Sequence, residues 1–109
     1  MTISVRQSGA AQVVDLDGEV DFGTSPHLRR ALFDLLGKTS KLAINLQALR
    51  YIDSSGIATL IEVLKDAQRV QKEFVLFGLS PAVQDVFRLT HVNRVFRIVE
   101  TEEQAVAPA

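Results

Sequence analysis

Residues 51–57 of the chain, with the sequence YIDSSGI, place small and polar side chains between two strongly apolar stretches. Asp53 can cap a following helix by accepting hydrogen bonds from free backbone amides, which puts Ser54 in the first helical turn. Gly56 allows another surface to approach the backbone closely. The pattern therefore presents the Ser54 hydroxyl at the positive end of a helix dipole.

An exposed hydroxyl at a helix start has two interpretations that involve no regulatory role. In the first, residues 53–56 only cap a helix, since such residues are common at helix starts. In the second, Ser54 is a catalytic nucleophile, but the nucleophile elbow requires glycine at both second neighbours and Ile52 occupies one of them. His27 and His91 lie far from the segment in sequence and supply no clear general base. We therefore expect no catalytic residues and no enzyme, whereas the capping interpretation stays open.

Length and composition narrow the classes of function further. The 109 residues fit one domain with one core, and 12 basic against 13 acidic side chains lack the basic surplus of nucleic-acid binders. There is no cysteine, so thiolate zinc sites are excluded, and we expect neither a metal nor a cofactor. Apolar runs are far shorter than the ~20 residues that cross a bilayer, and no secretory signal opens the chain. We expect a soluble cytoplasmic protein that does not insert into membranes.

The elements that position residues 51–57 follow from hydrophobic spacing. Apolar residues on both sides of residues 8–9 predict an opening β-hairpin. Ser25 before a proline predicts the N-cap of a helix that ends at Gly37. Residues 41–47 alternate in a way typical of a strand covered on both faces, which should lie centrally in the sheet.

The second half of the chain continues the alternation of helices and strands. An apolar stripe from Ile57 to Val70 predicts a long helix, and residues 74–77 predict the next strand. A Ser-Pro pair at residues 80–81 predicts a third helix, and residues 95–99 predict a last strand. The tail at residues 101–109 should start a short, threonine-capped helix and be partly frayed.

This order of elements predicts one α/β domain over residues 1–109. The sheet should be mixed, with four to five strands flanked by three to four helices in the order β-β-α-β-α-β-α-β-α, because parallel strands need crossover connections. Asp21 ends an acidic series along the second strand and is placed to reach the turn at Asp53.

Taken together, these residues resemble STAS-domain proteins, in particular the bacterial anti-sigma-factor antagonists, and so imply the STAS fold. The resemblance spans nearly the whole chain. It includes the sequence GEVD at residues 18–21, the strand at 42–49, the hallmark segment at 51–57, FGLSPAV at 77–83 and VFRI at 95–98.

The resemblance implies a phosphorylation-controlled partner switch that regulates transcription indirectly. In similar antagonists, an anti-sigma factor that is also a serine kinase phosphorylates the residue directly after the motif aspartate, here Ser54, with Ser55 as second choice. The unmodified protein binds the kinase and frees a sigma factor, phosphorylation releases the kinase, and a serine phosphatase restores binding. A monomer or weak dimer is expected. The implied partner surface comprises Asp21, Asp53, Ser54, Ser55, Gly56, Ile57 and Ala58.

A second function is compatible with the same fold. Related STAS proteins serve as cytosolic subunits of bacterial lipid ABC transporters and bind the transporter ATPase without requiring phosphorylation. A threonine or alanine beside the motif serine is common in those subunits. The pair Ser54 and Ser55 therefore favours the antagonists, while the transporter subunit stays an alternative.

Overall fold

The computed structural model describes residues 1–108 of the chain, which form a β-hairpin followed by alternating helices and strands. The strands are β1 (Thr2–Ser8), β2 (Ala11–Val20), β3 (Lys41–Ile52), β4 (Glu73–Phe77) and β5 (Arg97–Val99), and the helices are α1 (Ser25–Leu36), α2 (Ser54–Arg69), α3 (Pro81–Leu89) and α4 (Glu102–Val106). The order β-β-α-β-α-β-α-β-α confirms the α/β fold predicted from the sequence.

The strands form one mixed sheet in the order β1-β2-β3-β4-β5. The β1–β2 hairpin is antiparallel, and every other neighbouring pair is parallel. Helices α1, α2 and α3 make the three parallel connections. Strand β3 therefore lies in the centre of the sheet, as predicted, and the turn that follows it is placed at the carboxyl edge of the parallel strands.

Both faces of the sheet are covered, by different sets of helices. Alternate residues of the strands pack with α1, α2 and α3 in the larger apolar cluster, which includes Leu32, Ile44, Leu60 and Phe87. The opposite face packs against α4 through a smaller cluster. The members of that cluster are Val13, Ala43, Val75, Phe77 and Ala105. Because burial of a large aliphatic or aromatic side chain contributes about 1.5–3 kcal/mol, the larger cluster dominates the stability of the domain.

Three boundaries differ from those predicted by local sequence. Strand β3 continues from residue 47 to Ile52, because its parallel pairing with β2 persists through two register shifts. Helix α1 has Thr24 as its N-cap residue, not Ser25, which is buried in the first turn. Strand β5 begins only at Arg97, since residues 93–95 form a turn.

The short C-terminal helix forms as predicted. The Thr101 hydroxyl accepts from the backbone N–H of Gln104, whose side chain accepts in return from the N–H of Thr101. After the helix, the carbonyl of Ala107 accepts a hydrogen bond from Nζ of the buried Lys41 at 2.6 Å. Fraying of the tail stays a prediction about motion, and Ala109 lies outside the described residues.

A charged network joins α4 to the hairpin. The guanidinium of Arg6 donates to Asp15 at 2.7 Å and to Glu102 at 2.9 Å, and the Ser8 hydroxyl also donates to Glu102. The bonds from Arg6 are the main reason why the pKa values of the Asp15 and Glu102 carboxyl groups lie below their ordinary range. Both ends of the chain are thus linked by charge-assisted hydrogen bonds.

Candidate functional site

Asp53 forms the turn between strand β3 and helix α2. Its backbone is extended, and its Oδ1 atom accepts from the backbone N–H of Ser55 at 3.0 Å and of Gly56 at 3.2 Å. These bonds satisfy two of the amides that have no partner inside the helix. The capping role predicted for Asp53 is confirmed, and Ser54 is the first residue of α2.

The Asp53 carboxylate is held in its ionised form by its surroundings. The Ser55 hydroxyl donates to Oδ1 at 2.5 Å, and this bond is the main cause of the lowered pKa of Asp53. Partial burial raises the pKa, but the backbone amides of Gly56, Ser55 and Phe22 lower it further. A negative charge therefore persists beside Ser54 at neutral pH.

The ends of β2 and β3 are fixed next to each other at this edge of the sheet. Val20 pairs with Ile52, and the backbone N–H of Asp53 donates to the carbonyl of Val20 at 3.1 Å. Phe22 lies two residues after Val20, and Ser54 lies two residues after Ile52. The loop after β2 and the start of α2 thus share one end of the molecule.

Asp21 uses its carboxylate to order its own loop. Its Oδ1 atom accepts from the backbone N–H of Gly23 at 2.9 Å and of Thr24 at 3.0 Å, as well as from the Thr24 hydroxyl at 3.2 Å. Among residues 1–108, its side-chain hydrogen bonds lie within this loop. Asp21 therefore shapes the neighbourhood of the Asp53 turn without bonding to it.

Gly56 and Ile57 face the core and not solvent. A Cβ atom on Gly56 would lie 2.6 Å from Cγ1 of Ile52 and 2.7 Å from Cγ1 of Val20. The surface that approaches this glycine closely is therefore the chain's own sheet. Ile57 is only 5% exposed, so the prediction that it offers apolar contact to a partner is wrong, because α2 turns this position towards the strands.

Ser54 and Ala58 are the exposed residues of the first helical turns. Four positions separate them, so they lie on one face of α2. Within residues 1–108, the Ser54 hydroxyl makes no hydrogen bond, whereas the hydroxyl of the half-buried Ser55 donates a hydrogen bond to Asp53. The two adjacent serines thus differ in access and in bonding.

Phe22 was missed by the sequence reasoning. Its side chain is 84% exposed, in the loop between β2 and α1. An aromatic residue in the otherwise small and polar sequence DFGT, between a strand end and a helix start, is the signal that could have drawn attention to it.

The two histidines considered as partners of Ser54 do not approach it in the described part of the chain. Both His27 and His91 are exposed, and neither forms a hydrogen bond with Ser54. No group of three or more His, Asp or Glu side chains within residues 1–108 is arranged to hold a metal ion. No helix over these residues is both long and apolar enough to cross a membrane.

Comparison with known proteins assigns the chain to a family. A family model described as STAS domain matches residues 2–105. The chain belongs to the STAS domain family. This assignment confirms the resemblance seen in the sequence and agrees with the strand order of the sheet.

Relatives of this STAS domain are anti-sigma factor antagonists by name. It is 33% identical over 86 residues to the anti-sigma-B factor antagonist of Listeria monocytogenes. The aligned region covers 78% of this chain and 75% of that protein. An anti-sigma factor antagonist from Mycobacterium paratuberculosis superimposes with a TM-score of 0.80 at 24% identity, covering 96% of this chain and 90% of the other.

A second similar structure carries a modification. The Bacillus cell fate determinant SpoIIAA in its phosphorylated form superimposes on this STAS domain with a TM-score of 0.72 at 21% identity, covering 96% of each chain. At this identity the superposition establishes a shared fold.

Proposed function

We propose that this STAS domain is an anti-sigma factor antagonist whose binding to an anti-sigma factor with serine kinase activity is switched off by phosphorylation of Ser54. The observation that carries the proposal is the exposed Ser54 hydroxyl at the start of α2, beside a carboxylate that stays ionised. The name of the Listeria relative and the phosphorylated state of SpoIIAA support it.

Ser54 is a better phosphate acceptor than Ser55 in this turn. Ser55 is half-buried, and its hydroxyl donates to Asp53 at 2.5 Å. Phosphorylation of Ser55 would break that bond and place a phosphate directly against the Asp53 carboxylate. Ser54 can receive a phosphate without the loss of any side-chain hydrogen bond made within residues 1–108.

The fold should tolerate phosphate on Ser54. A phosphate adds about −1.5 to −2 charges at neutral pH, and a negative charge in the first turn of a helix is favoured by about 0.3–1 kcal/mol. The added charge therefore acts on binding and leaves the domain folded.

Binding of a partner should be much more sensitive to the same phosphate. In an interface, the phosphate loses its water and lies beside the ionised Asp53, and like charges brought together at an interface cost several kcal/mol. A loss of about 3–4 kcal/mol corresponds to a reduction in affinity of several hundred-fold. A serine phosphatase that removes the group restores binding. In this function the chain acts by binding, and it performs no catalysis.

The test is phosphorylation by purified anti-sigma factors of the source organism. Each is incubated with the protein and ATP, and any gain in mass is located by peptide mapping. Ser54→Ala should abolish the modification, whereas the matched variant Ser55→Ala should keep it. Modification of Ser54→Ala, or binding of an ABC transporter ATPase with no binding of any anti-sigma factor, would contradict the proposal.

A further inference from the structure

The most exposed large apolar side chain among residues 1–108 is that of Phe22, with 84% of its surface accessible. Single apolar residues on a surface are common and need no explanation. Phe22 differs because its position is fixed and because it adjoins the residue proposed for modification. Each of these two properties can be traced to specific contacts.

The backbone on both sides of Phe22 is held by hydrogen bonds. Asp21 precedes Phe22 in the chain, and its carboxylate accepts from the N–H groups of Gly23 and Thr24, the two residues that follow Phe22. The Thr24 hydroxyl lies 2.9 Å from the backbone nitrogen of Asp21 and accepts from it. The loop therefore presents the phenyl ring on an ordered backbone. An ordered backbone lowers the entropy that is lost when a partner binds.

Phe22 is placed beside Ser54 by the pairing of the strands. Val20 and Ile52 are register partners, and the bond from the Asp53 N–H to the Val20 carbonyl extends the contact by one residue. The amide of Phe22 also lies near enough to Asp53 to help lower its pKa. The aromatic ring and the serine thus extend from neighbouring positions at one edge of the sheet.

We propose that Phe22 is the aromatic anchor with which this protein recognises its anti-sigma factor. The ring enters an apolar pocket of the partner, and the partner closes over Ser54 at the same time. This inference rests on the proposed function and identifies the residue that determines affinity for the partner. Large aromatic side chains that are exposed before binding and buried after it commonly dominate the energy of an interface.

The position of the anchor also explains why a phosphate on Ser54 weakens binding. The surface around Ser54 includes the apolar Phe22 and Ala58. When these groups are covered by a partner, a phosphate on Ser54 is removed from water while the ionised Asp53 lies next to it in the chain. Burial of an uncompensated charge is costly, so phosphorylation and anchor burial exclude one another.

The first experiment compares two exposed apolar residues at opposite ends of the molecule. Leu89 is 76% exposed and is the last residue of α3, which leads back to the edge of the sheet where the parallel strands begin. Phe22 lies at the opposite, carboxyl edge, where α2 begins. Affinity for the purified anti-sigma factor is measured by titration calorimetry. Phe22→Ala should weaken binding about 30-fold or more, equivalent to ~2 kcal/mol, and Leu89→Ala should bind like the unaltered protein.

The second experiment reads the burial of the anchor directly. The chain contains no tryptophan, so Phe22→Trp introduces a single indole reporter. Addition of the anti-sigma factor should shift its emission to shorter wavelength, and the same addition to the doubly altered Phe22→Trp, Ser54→Asp protein should not. Both variants should keep the circular dichroism of the unaltered protein, because the exposed ring makes little contribution to the core.

The possible outcomes separate this inference from the proposed function. If the unaltered protein binds and Phe22→Ala binds equally well, the anchor is rejected while the antagonist function stands. An unchanged emission of Phe22→Trp in a complex that does form also rejects it. If the unaltered protein binds none of the purified anti-sigma factors, the proposed function fails and the inference fails with it.

Discussion

The hydroxyl of Ser55 donates a hydrogen bond to the carboxylate of Asp53 at 2.5 Å, while the adjacent Ser54 faces solvent. This relationship gives the two serines different tasks. Ser55 helps to keep Asp53 ionised and in place as the cap of α2, and Ser54 is left accessible. Substitutions in this turn can therefore separate its structural role from the role that we propose for it in binding.

Removal of the cap should destabilise the domain by a modest amount. Asp53→Ala loses the acceptor for the amides of Ser55 and Gly56, and loss of an N-cap costs about 0.5–2 kcal/mol. Asp53→Asn keeps an oxygen in the same place and should lose less. Urea unfolding checks both values. Equal stability of Asp53→Ala and the unaltered protein would show that the cap contributes nothing.

A negative charge at Ser54 should leave the domain folded. We expect Ser54→Asp to change the free energy of unfolding by less than about 1 kcal/mol, and in the stabilising direction at low salt, because the charge lies at the positive end of α2. Thermal unfolding at two salt concentrations measures the effect and its screening. Substantial unfolding of this variant would mean that the phosphate disrupts the fold and not the interface.

A methyl group at Gly56 should be strongly destabilising. Its Cβ would lie 2.6 Å from Ile52 and 2.7 Å from Val20, so α2 would have to move away from the sheet, and overpacking of this kind costs about 1–3 kcal/mol. Gly37→Ala is the matched control, because there the nearest atom is 3.5 Å away and φ is −67°. Denaturant midpoints of the two variants should differ clearly, with Gly37→Ala near or above the unaltered protein.

Stability towards acid should depend on Arg6. The pKa values of Asp15 and Glu102 are lowered in the folded state, so the stability they add is present at neutral pH. It declines as the pH falls below the ordinary carboxyl values of about 4 and is lost below the depressed values. Arg6→Gln should lower stability at pH 7 and flatten its dependence on acid.

The control for this pH dependence is Arg88→Gln. Arg88 pairs with Asp85 three residues earlier on the exposed surface of α3, and such local surface pairs contribute little. Its unfolding curve between pH 7 and pH 2 should match that of the unaltered protein. If Arg6→Gln gives the same curve as this control, the network between α4 and the hairpin does not contribute to stability.

The features that the sequence predicted well are those determined by neighbouring residues. The caps at Asp53, Ser80 and Thr101 form with the expected bonds, because a cap needs only a side-chain oxygen and amides within three positions. The order of helices and strands followed from apolar spacing for the same reason. Local chemistry was therefore sufficient for most of the fold and for the position of Ser54.

The features that the sequence did not predict depend on contacts between distant segments. Ile57 was expected on the surface and lies in the core, because the angle at which α2 meets the sheet decides which residues face inward. The exposure of Phe22 depends in the same way on how the loop after β2 leaves the sheet. Strand β3 extends to Ile52 because β2 is available alongside it, which local spacing cannot indicate.

The hydrogen bond from Lys41 to the carbonyl of Ala107 ties the segment after α4 to the first residue of β3. Truncation before Thr101 would remove the helix that covers Val13, Val75 and Phe77, and would leave the ammonium group of Lys41 without this acceptor. The uncovered strands would then expose an apolar face to water, which favours association with other copies of the chain. Helix α4 therefore keeps one face of the sheet away from water, and the other face does not depend on it, because α1, α2 and α3 cover that face.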